Sequence, residues 1–149
     1  MKERVYRPDQ RDWQIIELLR AGTISSSSVA SALGVSEGMI RQRIKKMRDS
    51  GVISLRGLIN PDILPDRQIV LLGAKVAATR QLVQKAEEVA ALPDVLSVSI
   101  VSGRFDLFIE LLLDSHRGLV QFLAEQLSRV DGIQSTESFV TLKTYSKFV

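Results

Sequence analysis

The sequence predicts an α+β chain in two parts. An N-terminal three-helix winged helix-turn-helix domain is expected over residues 1–60, a linker over 61–66, and a C-terminal ferredoxin-like β-α-β-β-α-β domain over 67–149. Three observations lead there. Apolar residues recur at helical spacing as far as Asp49 and change to strand-like alternation in the second half. Charge divides the same way: residues 1–60 hold 11 Lys/Arg against 6 Asp/Glu, and the remainder hold 9 against 11. The second half also echoes itself, because Leu92-Pro93-Asp94-Val95 precedes one expected strand and Val130-Asp131-Gly132-Ile133 precedes another.

The first helix is expected from Asp9 to Arg20. Pro8 and Asp9 are start signals, Ala21-Gly22 stops it, and Ile15, Ile16, Leu18 and Leu19 with Trp13 form its apolar face. The serine run from Ser25 to Ser28 caps a short second helix that carries Val29, Ala30 and Leu33 and ends at Gly34. Ser36 caps a third helix, Glu37 to Asp49, with Ile40, Ile44 and Met47 at i, i+4 and i+7 as its buried stripe. Gly51 ends it, and Val52 to Ile59 reads as a strand stopped by Asn60-Pro61. In the second half, Gln68 to Ala77 is a strand and Thr79 to Leu92 an amphipathic helix. Val95 to Val101 and Phe105 to Leu113 are strands joined by the turn Ser102-Gly103-Arg104. Ser115 to Val130 is a second amphipathic helix and Ile133 to Tyr145 the last strand. This order is the split βαβ arrangement, with helices on one face of the sheet only. Its other face is apolar enough that burial in a homodimer is the simple solution.

Composition narrows the chemistry. The chain has no cysteine, which removes disulfides, thiolate metal sites and a cysteine nucleophile. No apolar run approaches membrane-spanning length, and Met1-Lys2-Glu3-Arg4 leads into no secretory core, so a cytoplasmic location is expected. No cluster has metal-ligand spacing and no glycine-rich phosphate loop is present, so neither metal nor cofactor is expected.

The third helix carries the functional signal. Opposite its buried stripe, Arg41, Lys45 and Arg48 form a basic row at i, i+4 and i+7, with Gln42 and Lys46 beside it and Arg43 flanking the buried side. In a helix-turn-helix this helix lies in the major groove, where Arg pairs with guanine and Gln with adenine, while Lys and Arg neutralise phosphates. Ser36 at the helix start, and Ser25 and Ser27 at the second helix, are placed to donate to phosphates. Glu37 either accepts from cytosine or favours the helix dipole. With Met39 these residues make the expected double-stranded DNA surface: Ser25, Ser27, Ser36, Glu37, Met39, Arg41, Gln42, Arg43, Lys45, Lys46 and Arg48.

Several stretches resemble one known family. Asp9 to Leu19 is similar to its opening LDxxDxxILxxL, and Ser36 to Met47 to SxxxVxxRIxxL. Gly51-Val52-Ile53 and Asn60-Pro61 continue the pattern. Ser102-Gly103-Arg104-Phe105-Asp106-Leu107 resembles a TGDYDL turn, and Thr141 to Thr144 the closing strand. In this order they resemble the leucine-responsive regulator/AsnC, or feast/famine, family over almost the whole chain. The resemblance implies a transcriptional regulator that dimerises through its C-terminal sheets and assembles further, often as octamers. It also implies a small effector, an amino acid or related metabolite, bound near Gly103, Arg104 and Asp106, with Thr136 and Ser138 contributing from a neighbouring copy. Pro8 stands where the family has leucine and Leu64-Pro65 where it often has Leu-Gly. Arg104 replaces a commonly acidic residue and adds positive charge at the expected ligand turn.

Two other functions compete. A tetrapyrrole decarboxylase of the sirohaem type has related architecture, and its acid-base group would fall to His116, the only histidine. An exposed helix-start histidine is the simpler account of that residue, and no enzyme is expected. The basic third helix also has no purpose in an enzyme. The other competitor is a pure ligand-binding or assembly module whose helix-turn-helix mediates protein contacts only, which substitution of Arg41 and Lys45 by Ala separates from a DNA-binding regulator.

Overall fold

The computed structural model describes residues 6–114 and 117–149, and these fall into two compact units that divide between Gly57 and Leu58. The expected opening stretch Met1 to Arg4, and Ser115 and His116, lie outside the described residues.

The first unit is three helices, α1 (Gln10–Arg20), α2 (Ser26–Leu33) and α3 (Glu37–Asp49). Each begins at a side-chain cap. Asp9 accepts from the Asp12 N–H at 2.9 Å while Asp12 accepts from the Asp9 N–H at 3.0 Å, a reciprocal capping box made of two aspartates. Ser25 and Ser36 accept from the N–H groups of Ser28 and Met39. Gly34, at φ 64°, ends α2 in the left-handed conformation that glycine adopts without strain. Ile15, Val29, Ala30, Ile40 and Met47 are buried between the helices, with Ile44, Leu33, Val52 and Ile53 packed around them. Full burial of an Ile or Met side chain contributes about 1.5–3 kcal/mol.

Two expectations fail in this unit. Trp13 is 54 % exposed rather than part of the core, and the neighbouring Asp12 is buried. Val52 to Ile59 is not a strand. Val52 and Ile53 both turn back to the Met47 carbonyl and close the core, and Ser54 to Gly57 join no sheet among the described residues.

The second unit is a four-stranded antiparallel sheet of order β2-β3-β1-β4, from β1 (Arg67–Val76), β2 (Val95–Ile100), β3 (Leu107–Asp114) and β4 (Ile133–Val140). Helix α4 (Leu82–Ala90) and helix α5, starting at Gly118–Gln121, complete the β-α-β-β-α-β order. Alternation decides the faces. Val70, Leu72, Ala74 and Val76 of β1 and Leu107, Ile109, Leu111 and Leu113 of β3 are buried in one cluster with Val89, Phe122 and Leu127 from the helices. The intervening residues face the other way; Leu71 of β1 and its partner Phe139 of β4 are exposed there, while Ile69 is buried.

Here too some elements differ from expectation. A 3-10 turn at Thr79–Gln81 leads into α4. The second long helix breaks into α5, a π turn at Phe122–Gln126 and a 3-10 turn at Leu127–Arg129. Phe105 precedes β3 rather than opening it: its ring covers Gly73 so closely that a Cβ there would lie 2.7 Å from it. The last strand stops at Val140, because the hydrogen bond from the Thr141 N–H to the Ile69 carbonyl is the last one to β1. Beyond it Val149 and Ile59 exchange two backbone hydrogen bonds of 2.9 and 3.0 Å. The stretch 61–66, expected as linker, contains a 3-10 turn at Pro61–Ile63 capped by Asn60, and Asp62 accepts from Thr144 and pairs with Lys143 at 2.7 Å.

Candidate nucleic-acid interface and effector turn

Along α3 the apolar stripe holds the helix against α1 and α2 and turns the opposite side outward. Arg41, Gln42, Lys45, Lys46 and Arg48 are all exposed, as are Ser25, Ser27, Ser36 and Glu37. Nine of the eleven expected DNA-binding residues therefore reach solvent. Glu37 pairs with Arg41 one turn on, at 3.5 Å, and Asp49 pairs with Lys45. Surface pairs of this kind are weak enough to open toward a phosphate or a base.

Met39 and Arg43 depart from the expected surface. Met39 is half-buried against the core. The Arg43 guanidinium is turned inward, donating to Asp9 and Asp12 from one nitrogen at 2.8 Å each. Tyr6 completes the cluster by donating its hydroxyl to Asp12 at 2.5 Å. The fully buried Asp12 carboxylate is thus satisfied by a hydroxyl, a guanidinium and a backbone N–H. Arg43 holds Asp9 below the usual carboxylate range. Burial pushes Asp12 up, but the hydrogen bonds from Tyr6, the Asp9 N–H and Arg43 outweigh it and leave the group lowered. Donation to Asp12 pushes the Tyr6 phenol up to about 12. Sequence spacing gives Arg43 only as a residue beside the buried stripe; its partners lie 31 and 34 positions away and have no local signal.

Of the expected effector residues, Gly103, Arg104 and Asp106 sit at the end of the sheet where β2 turns into β3, and Thr136 and Ser138 lie along β4. Gly103, at φ 131°, makes the β2–β3 turn, a conformation that side chains rarely adopt. Asp106 accepts from the Val76 N–H at 2.9 Å and lies 3.7 Å from Lys75. Arg104 reaches Glu137 on β4 at 2.9 Å and lies over the Phe105 ring. Within this chain the turn therefore meets Glu137, not Thr136 or Ser138. Thr136 and Ser138 pair with Ala74 and Leu72 and share their face of the sheet, whereas Glu137 pairs with Gly73 on the face that Phe105 covers. Strict alternation along β4 is the signal that separates 137 from its neighbours.

Comparison with known proteins fits both units. Residues 8–54 match the family model described as winged helix-turn-helix DNA-binding, and residues 69–148 match the Lrp/AsnC ligand binding domain. The chain belongs to the Lrp/AsnC family. It is 34 % identical over 134 residues, covering 89 % of this chain and 90 % of the relative, to an uncharacterised HTH-type transcriptional regulator of Pyrococcus furiosus. It overlays the structure of Escherichia coli AsnC with a TM-score of 0.64 at 25 % identity, over 93 % of this chain and 95 % of that one. The fold also matches a Neisseria meningitidis transcriptional regulator solved in complex with L-Met, with a TM-score of 0.67 at 19 % identity over 95 % and 94 % of the two chains. As an Lrp/AsnC protein with a helix-turn-helix followed by a ligand-binding domain, the chain is a transcriptional regulator, and the decarboxylase alternative is not favoured. No helix among the described residues is long and apolar enough to cross a membrane.

Proposed function

We propose that this Lrp/AsnC regulator binds specific duplex sequences in the cytoplasm as a homodimer or a larger assembly of dimers, reading DNA with the exposed side of α3. The observation that carries the reading is the outward row Arg41, Gln42, Lys45, Lys46 and Arg48 on a helix whose opposite stripe packs into the core through Ile40, Ile44 and Met47. Arg41 and Gln42, toward the start of the helix, face base edges; Lys45, Lys46 and Arg48 neutralise phosphates, and Ser25, Ser27 and Ser36 donate to them. A dimer places two such helices in successive major grooves. The half-exposed sheet face carrying Leu71 and Phe139 supports a self-association surface.

The effector in this reading is an amino acid or related metabolite held near Gly103, Arg104 and Asp106. It acts by binding one assembly state more tightly than another, not by being chemically changed. Arg104 and Glu137 are already paired there, so the ligand either keeps that pair as a wall or replaces one partner.

Electrophoretic mobility shift against a randomised duplex pool tests the first claim. The expected result is enrichment of a two-fold related sequence, and binding that falls at least tenfold in the Arg41→Ala/Lys45→Ala variant while the assembly mass is unchanged. Sequence-indifferent binding at low salt, or an unaffected variant, overturns it.

A further inference from the structure

Beside α3 runs an open groove of about 900 Å³ that none of the residues assigned above explains in full. One wall is Tyr6 and Arg7, from the segment before α1. The other is Gln42, Lys45, Lys46 and Asp49 of α3, which at i, i+3, i+4 and i+7 form one row along the helix. This row borders the row of Arg41, Lys45 and Arg48 and shares Lys45 with it.

The segment before α1 is anchored at both ends. Tyr6 is tied to α1 by its hydroxyl bond to Asp12, and its ring lies 4.7 Å from the Lys46 ammonium of α3. Asp9, three residues on, is fixed by the capping box. Between them Arg7 precedes Pro8, which disfavours helical backbone at Arg7. Arg7 is exposed, and among the described residues neither Arg7 nor Lys46 has a carboxylate partner. The groove thus presents three cations against one carboxylate, Asp49, which Lys45 already holds. Its charge suits a polyanion, and its position is continuous with the exposed side of α3.

We infer that the groove between the Tyr6-Arg7 arm and α3 seats a strand of the DNA sugar-phosphate backbone, with Arg7 as a phosphate contact supplied from outside the helix-turn-helix and Tyr6 as the residue that positions it. The inference rests on the DNA-binding reading above. It makes the arm a clamp: α3 sets the reading register, and Arg7 closes on the phosphate strand flanking it. A phosphate contact carries no sequence information, so the arm adds affinity uniformly across sites.

The test compares the full-length protein with Arg7→Ala, Arg7→Lys and Tyr6→Phe, titrated onto its selected duplex and onto a scrambled duplex over a range of salt. Each neutralised phosphate contributes about 0.9 to the slope of log affinity against log salt. Arg7→Ala is expected to flatten that slope by about 0.9 per protomer, so that its deficit shrinks by about 3.5-fold per protomer on a fourfold rise in salt. The loss is expected to be equal on both duplexes, with assembly mass and melting temperature unchanged, and Arg7→Lys restores most of it. Tyr6→Phe, which keeps the ring beside Lys46 but frees the arm from Asp12, should show part of the same loss and add nothing to Arg7→Ala. An unchanged salt slope in Arg7→Ala overturns the inference while leaving the α3 reading intact. A loss confined to the selected duplex makes Arg7 a base contact and also overturns it. Failure of the unsubstituted protein to bind either duplex removes both readings.

Discussion

Each unit carries a four-residue polar cluster, and the two differ in what encloses them. In the first unit Tyr6, Asp9 and Arg43 converge at hydrogen-bond distance on the Asp12 carboxylate, which has no solvent exposure, and the cluster ties α1, its capping box and α3 together. In the second unit Lys75, Arg104, Asp106 and Glu137 gather at the β2–β3 turn, with the Arg104 side chain 79 % exposed and the Lys75 to Asp106 separation 3.7 Å. In the first the Asp12 carboxylate is enclosed and satisfied, although Asp9 and Arg43 reach solvent; removing Arg43 leaves that buried charge without its cation. The second is open, and its members can exchange partners with water or a ligand at little cost. Charge in the sequence does not separate a structural residue from a binding one. Burial of the partner does.

The sharpest way to break this contrast is Arg43→Met. It leaves Asp12 buried without its cation, and we expect the first unit to lose about 2–4 kcal/mol of stability. Trp13, the only tryptophan, lies in α1 and reports this unit alone, so denaturant titration followed by its fluorescence isolates the effect. A loss no larger than that of an exposed-arginine variant would mean that the cluster is not what fixes α3.

Next in size is Gly73→Val, which tests whether the second cluster is held by packing rather than by its charges. The new side chain would occupy the space of the Phe105 ring, where even a Cβ comes within 2.7 Å. Overpacking of this kind costs about 1–3 kcal/mol. Phe105 would have to leave the sheet face, carrying Arg104 with it. Far-UV circular dichroism through the unfolding transition of the second unit gives the measurement; wild-type stability would show that the turn relaxes without strain.

Acidity and alkalinity should act on the first cluster from both sides. Asp9 and Asp12 titrate below the ordinary aspartate value, so the stability they contribute is complete above about pH 4 and is lost as pH falls toward their folded values. Tyr6 titrates at about 12, above the ordinary phenol, so its contribution is complete below about pH 10 and is lost as pH rises through the folded value. Trp13 fluorescence during denaturation should therefore show a plateau between those limits, and Tyr6→Phe should remove the alkaline loss while leaving most of the acid one. An alkaline limit unchanged in Tyr6→Phe would detach the phenol from the cluster.

The same contrast explains how much of the molecule is legible in the sequence. The three helices, their caps at Asp9, Ser25 and Ser36, and the β-α-β-β-α-β order depend on local spacing, and they stand where periodicity places them. The outward row on α3 follows directly from its buried stripe. What spacing does not carry is partnership across the chain. Nothing near Arg43 announces Asp9 and Asp12, nothing near Gly73 announces Phe105, and the apolar stretch Val52 to Ile59 reads as a strand because a sequence does not show whether another strand lies beside it. Trp13 lies exposed and Asp12 buried for a related reason: hydrophobicity places Trp13 in the core, but it does not show the hydrogen bonds from Tyr6 and Arg43 that make Asp12 tolerable in the interior.

The smallest stability effect belongs to Arg104→Ala, and its smallness is the point. Arg104 is exposed and meets Glu137 across a surface, so its loss should change stability by no more than about 0.5 kcal/mol. Its effect should appear in ligand choice instead. Removing the guanidinium frees the Glu137 carboxylate and makes the turn more acidic, which disfavours ligands with an additional negative charge and favours those with an additional amine. Thermal shift with acidic, neutral and basic amino acids, on wild type and Arg104→Ala, reads this as a change in rank order rather than in size. A large fall in melting temperature without ligand would place Arg104 with Arg43 as a structural residue. An unchanged rank order would move the ligand away from the turn. A reordered series with unchanged intrinsic stability is the outcome that separates the open cluster from the closed one, because only an exposed ion pair can be traded for a ligand without loosening the fold beneath it.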